Sequence, residues 1–178
     1  MRLGAFFGAL SICALGAPEV GQADVLTITA KGTIASSCSV GVQQAFGVAN
    51  FNAAGSAGAQ ALVNCNTGFR INVTSANGAA KTANVTSNGF TNSLPYSVKL
   101  DLPLDDNSTV SATCASSALV SGQSSCALSP ANGTGLSSGG KTAINKIAAL
   151  TATWTLPAQP LVAGSYSDTL TVSIASVP

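Results

Sequence analysis

The stretch Asp24-Val-Leu-Thr-Ile-Thr-Ala-Lys-Gly-Thr-Ile-Ala-Ser-Ser-Cys38 decides how the chain is read. Leu26, Ile28, Ala30 and Ile34 share one parity, and Val25, Thr27, Thr29, Lys31, Thr33 and Ala35 take the other. Successive side chains of a strand point to opposite faces, so this alternation predicts a β-strand with one apolar face to bury. Cys38 has the parity of Leu26 and Ile34, which aims its thiol at the core that face meets. A strand this early has few neighbours before it. It either completes its own sheet as an ordinary first strand or leaves and completes the sheet of another molecule.

What precedes the stretch reads as a secretory signal over residues 1–23. Arg2 is followed by the apolar run Leu3 to Leu15 and then by Gly21-Gln22-Ala23, small at the first and third positions, so cleavage is expected after Ala23. The apolar run is too short to span a bilayer, and no later segment reaches about 18 uninterrupted apolar residues. Residues 24–178 then form an exported chain in the size range of one domain, about 100–200 residues.

Charged residues make up only 7% of the sequence, and the formal net charge is +1. That leaves no electrostatic footprint for nucleic acid or an anionic membrane. Abundant Ser, Thr, Ala, Asn, Gly and Val with little Lys or Glu favours short strands joined by turns over long surface helices. Little charge also means little self-repulsion, which suits dense packing against further copies.

Five cysteines are present. Cys13 falls in the signal, which leaves Cys38, Cys65, Cys114 and Cys126, and an even number in an exported chain implies disulfides with three possible connectivities. We choose Cys38–Cys65 and Cys114–Cys126, worth about 3–4 and about 3 kcal/mol in the chain-entropy account. A zinc site is the rival reading, but no Cys-x-x-Cys pair and no histidine occur, and no metal or cofactor is expected.

Along the chain, Phe46, Val48 and Phe51 suggest a short strand, and Asn52 to Gly58 a turn. Ala59 to Val73 reads as one strand, with Ala61, Val63, Cys65, Phe69, Ile71 and Val73 on the inner face. Asn77-Gly78 and Asn88-Gly89 mark turns around a weak strand at Thr82 to Thr86. Leu94, Tyr96, Val98, Leu100 and Leu102 alternate as a half-buried strand, with Pro95 placing its start at an edge or first position. Asp105 to Gly140 is rich in Ser, Gly, Asn and Thr, and is read as a surface excursion pinned by Cys114–Cys126. Thr142 to Leu156 returns to strand, with Ile144, Leu150, Ala152, Trp154 and Leu156 on one parity and Trp154 a core residue. Gly164 to Ile174 is the clearest strand of all, and the sequence stops soon after it. Six or seven strands and no fixed repeat indicate an all-β, immunoglobulin-like sandwich. If that last strand lies inside its sheet, its outer neighbour must come from elsewhere.

Cys38-Ser39-Val40, Phe46-Gly47-Val48-Ala49-Asn50-Phe51, Val63-Asn64-Cys65, Leu94-Pro95-Tyr96-Ser97-Val98 and Gly164-Ser165-Tyr166-Ser167-Asp168-Thr169-Leu170-Thr171-Val172 together resemble the spore coat protein U domain family, secreted pilins of archaic chaperone-usher pili. The most specific elements are the paired cysteines and the Gly164-x-Tyr166-x-Asp168-Thr-Leu ending; the 105–140 excursion lies outside the pattern. The resemblance implies an incomplete immunoglobulin-like sandwich lacking its last strand. A periplasmic chaperone lends a strand to the gap, and at an outer-membrane usher the N-terminal strand of the next pilin subunit replaces it. Carried onto this chain, the donor strand is Leu26, Ile28, Ala30 and Ile34, and the acceptor groove is lined by Tyr166, Leu170, Val172 and Ile174. The implied destination is the periplasm in transit, then an extracellular fimbria or the cell surface, in adhesion or biofilm formation.

Catalysis has little to draw on, and no catalytic residue is assigned. Histidine is absent, and acids number six including Glu19 of the signal. Asp168, at an inward parity beside Tyr166, is read as satisfying a buried turn or a backbone donor. Two other readings stand beside the pilin: an adhesin binding through the 105–140 region, and a cell or spore surface coat component.

Overall fold

Two long strands with small, β-branched and aliphatic side chains, Gly55–Cys65 and Ala143–Trp154, pair antiparallel and form the middle of the fold. The computed structural model describes residues 31–47, 50–86, 88–129 and 135–177. In chain order the strands are β1 Cys38–Gln44, β2 Gly55–Cys65, β3 Phe69–Ser75, β4 Ala80–Lys81, β5 Ser93–Leu94, β6 Ser97–Pro103, β7 Thr109–Ala115, β8 Leu136–Ser137, β9 Ala143–Trp154 and β10 Leu170–Ser176. One sheet runs β1-β2-β9-β6-β7 and a second β10-β3-β8, while β4 and β5 pair apart from both. Every one of these ladders is antiparallel. The sheets belong to the unit Ile34–Pro178, and the described residues ahead of it, Lys31–Thr33, have no regular structure.

Alternation closes the two sheets on one core. Val63, Val98, Leu100 and Leu150 from the larger sheet meet Phe69, Ile71 and Val73 from the smaller one, all buried. The fold is therefore an all-β sandwich, with disulfides Cys38–Cys65 and Cys114–Cys126. Cys38 and Cys65 are direct partners across the β1–β2 ladder, with Cα atoms 4.1 Å apart.

Several expectations are corrected. Residues 31–37 are not strand, and Ile34 is 91% exposed instead of facing a core. Among the described residues the first strand starts at Cys38, because Asn66 holds residues 35–37 as a loop: Ser37 N donates to its Oδ1 (2.8 Å) and its Nδ2 donates to Ala35 O (3.0 Å). The described residues of Ala45–Phe51 are not strand, and β2 begins inside the expected turn, at Gly55. The single strand Ala59 to Val73 is two strands in different sheets, broken at residues 66–68; both keep the inward parity because both face the one core. Thr82 to Thr86, expected as a weak strand, is not strand; the two-residue β4, Ala80–Lys81, ends just before it.

The 105–140 region is not a surface excursion. Thr109–Ala115 is an edge strand of the large sheet, and Ser116, Leu119 and Leu128 are buried beyond it. Its short alternation of Val110, Ala112 and Cys114 has too little apolar area to stand out in sequence. Ile144, expected inside, is half exposed: Asn145 has φ 53° and the β2–β9 register shifts between Val63 and Cys65, so parity slips by one there. The Asn64 side chain spans the bulge, donating to Asn145 Oδ1 (2.9 Å) and accepting from Asn145 N (3.1 Å). The last strand covers only Leu170–Ser176, and Gly164 to Thr169 lead into it as a loop.

Candidate functional site: a slot between two free strand edges

β1 and β10 are the outermost strands of their sheets on the same flank. Among the described residues β1 is bonded to β2 alone and β10 to β3 alone, so each has an edge with no described partner on this flank. Between them the inward side chains are only half buried: Cys38 and Val40 from β1, Leu170, Val172 and Ile174 from β10, all packed on the core beneath. Edges of this kind, with unpaired N–H and C=O groups beside apolar side chains, are where another strand adds.

The registers fix the polarity of the slot. Cys38, Cys65, Phe69, Ala143 and Ser176 lie at one end of the sandwich, the cysteine end. Gly55, Trp154, Ser75 and Leu170 lie at the other, the tryptophan end. Toward the tryptophan end β1 stops at Gln44, opposite Gln60, while β2 continues to Gly55 opposite Trp154. Among the described residues the edge of β2 has no neighbour there, and two cavities open. The smaller, about 150 Å³, is walled by Val42 and Phe46 on one side and Leu170 and Val172 on the other, over Ala61 and Leu150. The larger, about 310 Å³, continues past Phe46 and Leu170 among Phe51, Trp154, Tyr96 and Tyr166.

The larger cavity is aromatic and already satisfied. Phe51 meets the Trp154 ring edge to face at 5.0 Å and Tyr166 at 6.3 Å. Trp154 lies over Gly55, where a Cβ would stand 2.9 Å from the indole, so only glycine admits the ring. Trp154 Nε1 donates to Ala53 O (2.9 Å), and the Tyr166 hydroxyl to Val162 O (2.8 Å). Asp168 Oδ2 accepts from Ser75 Oγ and from the Tyr96 hydroxyl, both at 2.5 Å, and Oδ1 accepts from Asn77 N (3.0 Å) and Thr169 N (2.7 Å). Burial first, and then the carboxylate that accepts its proton, hold the Tyr96 phenol well above its ordinary range. With the phenols, the indole and the carboxylate engaged, these groups offer a guest apolar surface rather than a polar handle.

The residues singled out in sequence fall as follows. Tyr166 lines the larger cavity, Leu170 both and Val172 the smaller, while Ile174 sits on the same face nearer the cysteine end. Asp168 ties the loop before β10 to β3 and to Tyr96. Gly164 is demanded by close approach, since a Cβ there would lie 2.6 Å from Thr82 Oγ1. Leu26, Ile28 and Ala30, with the signal at residues 1–23, lie outside the described residues. Cys114–Cys126 is remote from the slot on the β7 side. Sequence reasoning missed Phe46 and Phe51 as cavity walls, having placed them on a strand. The Gly47 between them and the absence of strict alternation were the available signals that they sit on a loop.

Comparison of the chain with protein-family models, with curated proteins and with solved structures finds no match in any of the three.

Proposed function

We propose that this chain is a structural pilin subunit whose slot between β1 and β10 takes the Leu26, Ile28 and Ala30 strand of a neighbouring copy. The observation that carries the reading is the pair of free antiparallel edges flanking connected apolar cavities. The 24–30 segment supplies what such a slot takes: apolar side chains at every second residue, in a chain that can add main-chain hydrogen bonds to an edge. Burying Leu26 and Ile28 contributes about 1.5–3 kcal/mol each, an upper estimate, before those bonds are added. The donor is assigned antiparallel to β10, the sense of every ladder in the sandwich and the slightly stronger pairing.

A subunit with an unfilled slot would aggregate, so the reading includes a periplasmic chaperone that covers the slot and an outer-membrane usher where the exchange occurs, as the likeness to spore coat protein U implies. The end product is an extracellular fimbria serving adhesion or biofilm formation, with no cofactor and no catalytic step. The satisfied aromatic cavity favours this reading over a glycan-binding adhesin, as does the integration of 105–140 into the sandwich. The test is to express the full chain, and a variant lacking Val25 to Ala30, in a Gram-negative host with a chaperone and usher. The full chain should give a ladder of multimers on unheated denaturing gels and the variant none. A stable stoichiometric monomer, the same with and without Val25 to Ala30, removes the proposal.

A further inference from the structure

Resting on that reading, we infer a second contact between copies: the cysteine end of one sandwich docks on the apolar tryptophan end of the neighbour that accepts its strand. Its basis is the shortness of the connection. A donor antiparallel to β10 enters the slot at the cysteine end, because β10 runs from Leu170 at the tryptophan end to Ser176 at the cysteine end. The donor therefore leaves at the tryptophan end, with Ala30 its last apolar residue. On the donating copy, the chain is already held at Ala35 and Ser37 by Asn66, beside the Cys38–Cys65 disulfide. Only Lys31, Gly32, Thr33 and Ile34 remain between the two bodies. The five extended steps from Ala30 to Ala35 reach at most about 18 Å, less than twice the roughly 10 Å between the two sheets of one sandwich. The two ends must abut.

The facing surfaces fit that demand. At the tryptophan end Val85 is 89%, Leu156 50% and Phe90 44% exposed. Their loops are stitched together, since Asn84 Nδ2 donates to Ala163 O (2.6 Å), Thr91 N to Pro160 O (2.9 Å) and Val162 N to Thr91 O (2.9 Å). The patch is thus a backed surface. At the cysteine end Ile34 and Ile144 are exposed, and the charges close by are paired, Lys141 with Asp106 at 2.7 Å and Lys146 with Asp105 at 3.3 Å. These four side chains bring no uncompensated charge against an apolar partner, and Lys31, on the connection itself, is exposed and can keep its ammonium in water. Because unlike ends meet, the contact is heterologous and propagates as an open filament instead of closing a dimer.

The test uses the full chain carrying Ile34→Cys together with Phe90→Cys, and separately Ile34→Cys together with Leu156→Cys. Assembled multimers are treated with a short bis-maleimide, which leaves the native disulfides untouched, and run before and after heating. The expected result, for at least one pair, is a ladder on the unheated gel and a covalent series of dimers, trimers and higher multimers that survives heating. The single-cysteine variants should lose everything above the dimer after heating. An unheated ladder that collapses to monomer on heating for both double variants overturns the end-to-end contact and leaves the donor-strand reading standing. Absence of any unheated ladder overturns both.

Discussion

Asp168 shows what one carboxylate does for the site. Its two oxygens accept four hydrogen bonds, from Ser75, Tyr96, Asn77 and Thr169, and so tie the loop before β10 to the end of β3 and to the segment ahead of β6. Asp168→Ala removes the shared acceptor and leaves those donors to compete for water in a half-buried place. The expected loss is about 2–3 kcal/mol, with Asp168→Asn losing about half of that, since its amide oxygen still accepts while its nitrogen faces a hydroxyl. Urea unfolding monitored by Trp154 fluorescence reads both. Tyr96 adds a pH dependence. Its folded phenol holds the proton more tightly than an unfolded tyrosine, which titrates near about pH 10. Stability from this source is complete below that pH and falls as pH rises toward the folded-state value. Thermal melts from pH 8 to 11 should show a decline beginning near about pH 10 in the parent, and a shallower one in Tyr96→Phe. The inward place of Asp168 was legible from parity. Its partners were not, because Ser75 and Tyr96 are 93 and 72 positions away and only the packing of β3 against β10 brings them together.

At the scale of elements, sequence served best where apolar alternation is strong and uninterrupted. The strands at Ala61 to Cys65, Phe69 to Val73, Val98 to Leu102 and Leu150 to Trp154 could be read directly, because each has aliphatic or aromatic side chains at every second position. It failed where one residue resets the count, as Asn145 does, and where small residues do the pairing, as in β7. It failed also over residues 31–37, read as part of a strand but found as loop ahead of β1. The segment after β7 has more structural weight than its composition suggests. Leu128 is fully buried and its carbonyl accepts from Val73 N at 2.8 Å, so this segment covers the edge of β3 that β8 leaves open. Cys114–Cys126 pins it there from the neighbouring sheet. Replacing both cysteines by serine should lower stability by about 3 kcal/mol through the freed loop. The urea midpoint should fall while the multimer ladder persists, because the slot lies on the opposite flank. A ladder lost together with this disulfide would mean that the covered edge of β3, and not the slot, is where copies join.

For the whole molecule, the two sheets share one core but are not hydrogen-bonded to each other along the β1–β10 flank, and under the proposed reading the stability of the sandwich depends on a guest there. Anything that binds the folded chain and not the unfolded one stabilises it by mass action, about 2.7 kcal/mol at a hundred times its dissociation constant. In a domain of this size that is a rise in Tm of about 5–10 °C. A chain lacking residues 24–30, given a synthetic peptide of residues 24–34, should show such a rise, saturating with concentration. A peptide carrying Leu26→Asp and Ile28→Asp should give none, because a carboxylate in a cavity walled by Phe46, Leu170 and Val172 has no partner to offset its desolvation. Blocking the receiving edge tests the same link from the other side. Val172→Lys on β10 places an ammonium in the slot wall and should abolish the peptide-dependent rise while leaving the melt without peptide within a few degrees, since Val172 is only half buried when the slot is open. Equal stabilisation by the native and the aspartate peptides would show that the peptide binds by composition alone and that the slot does not choose its strand.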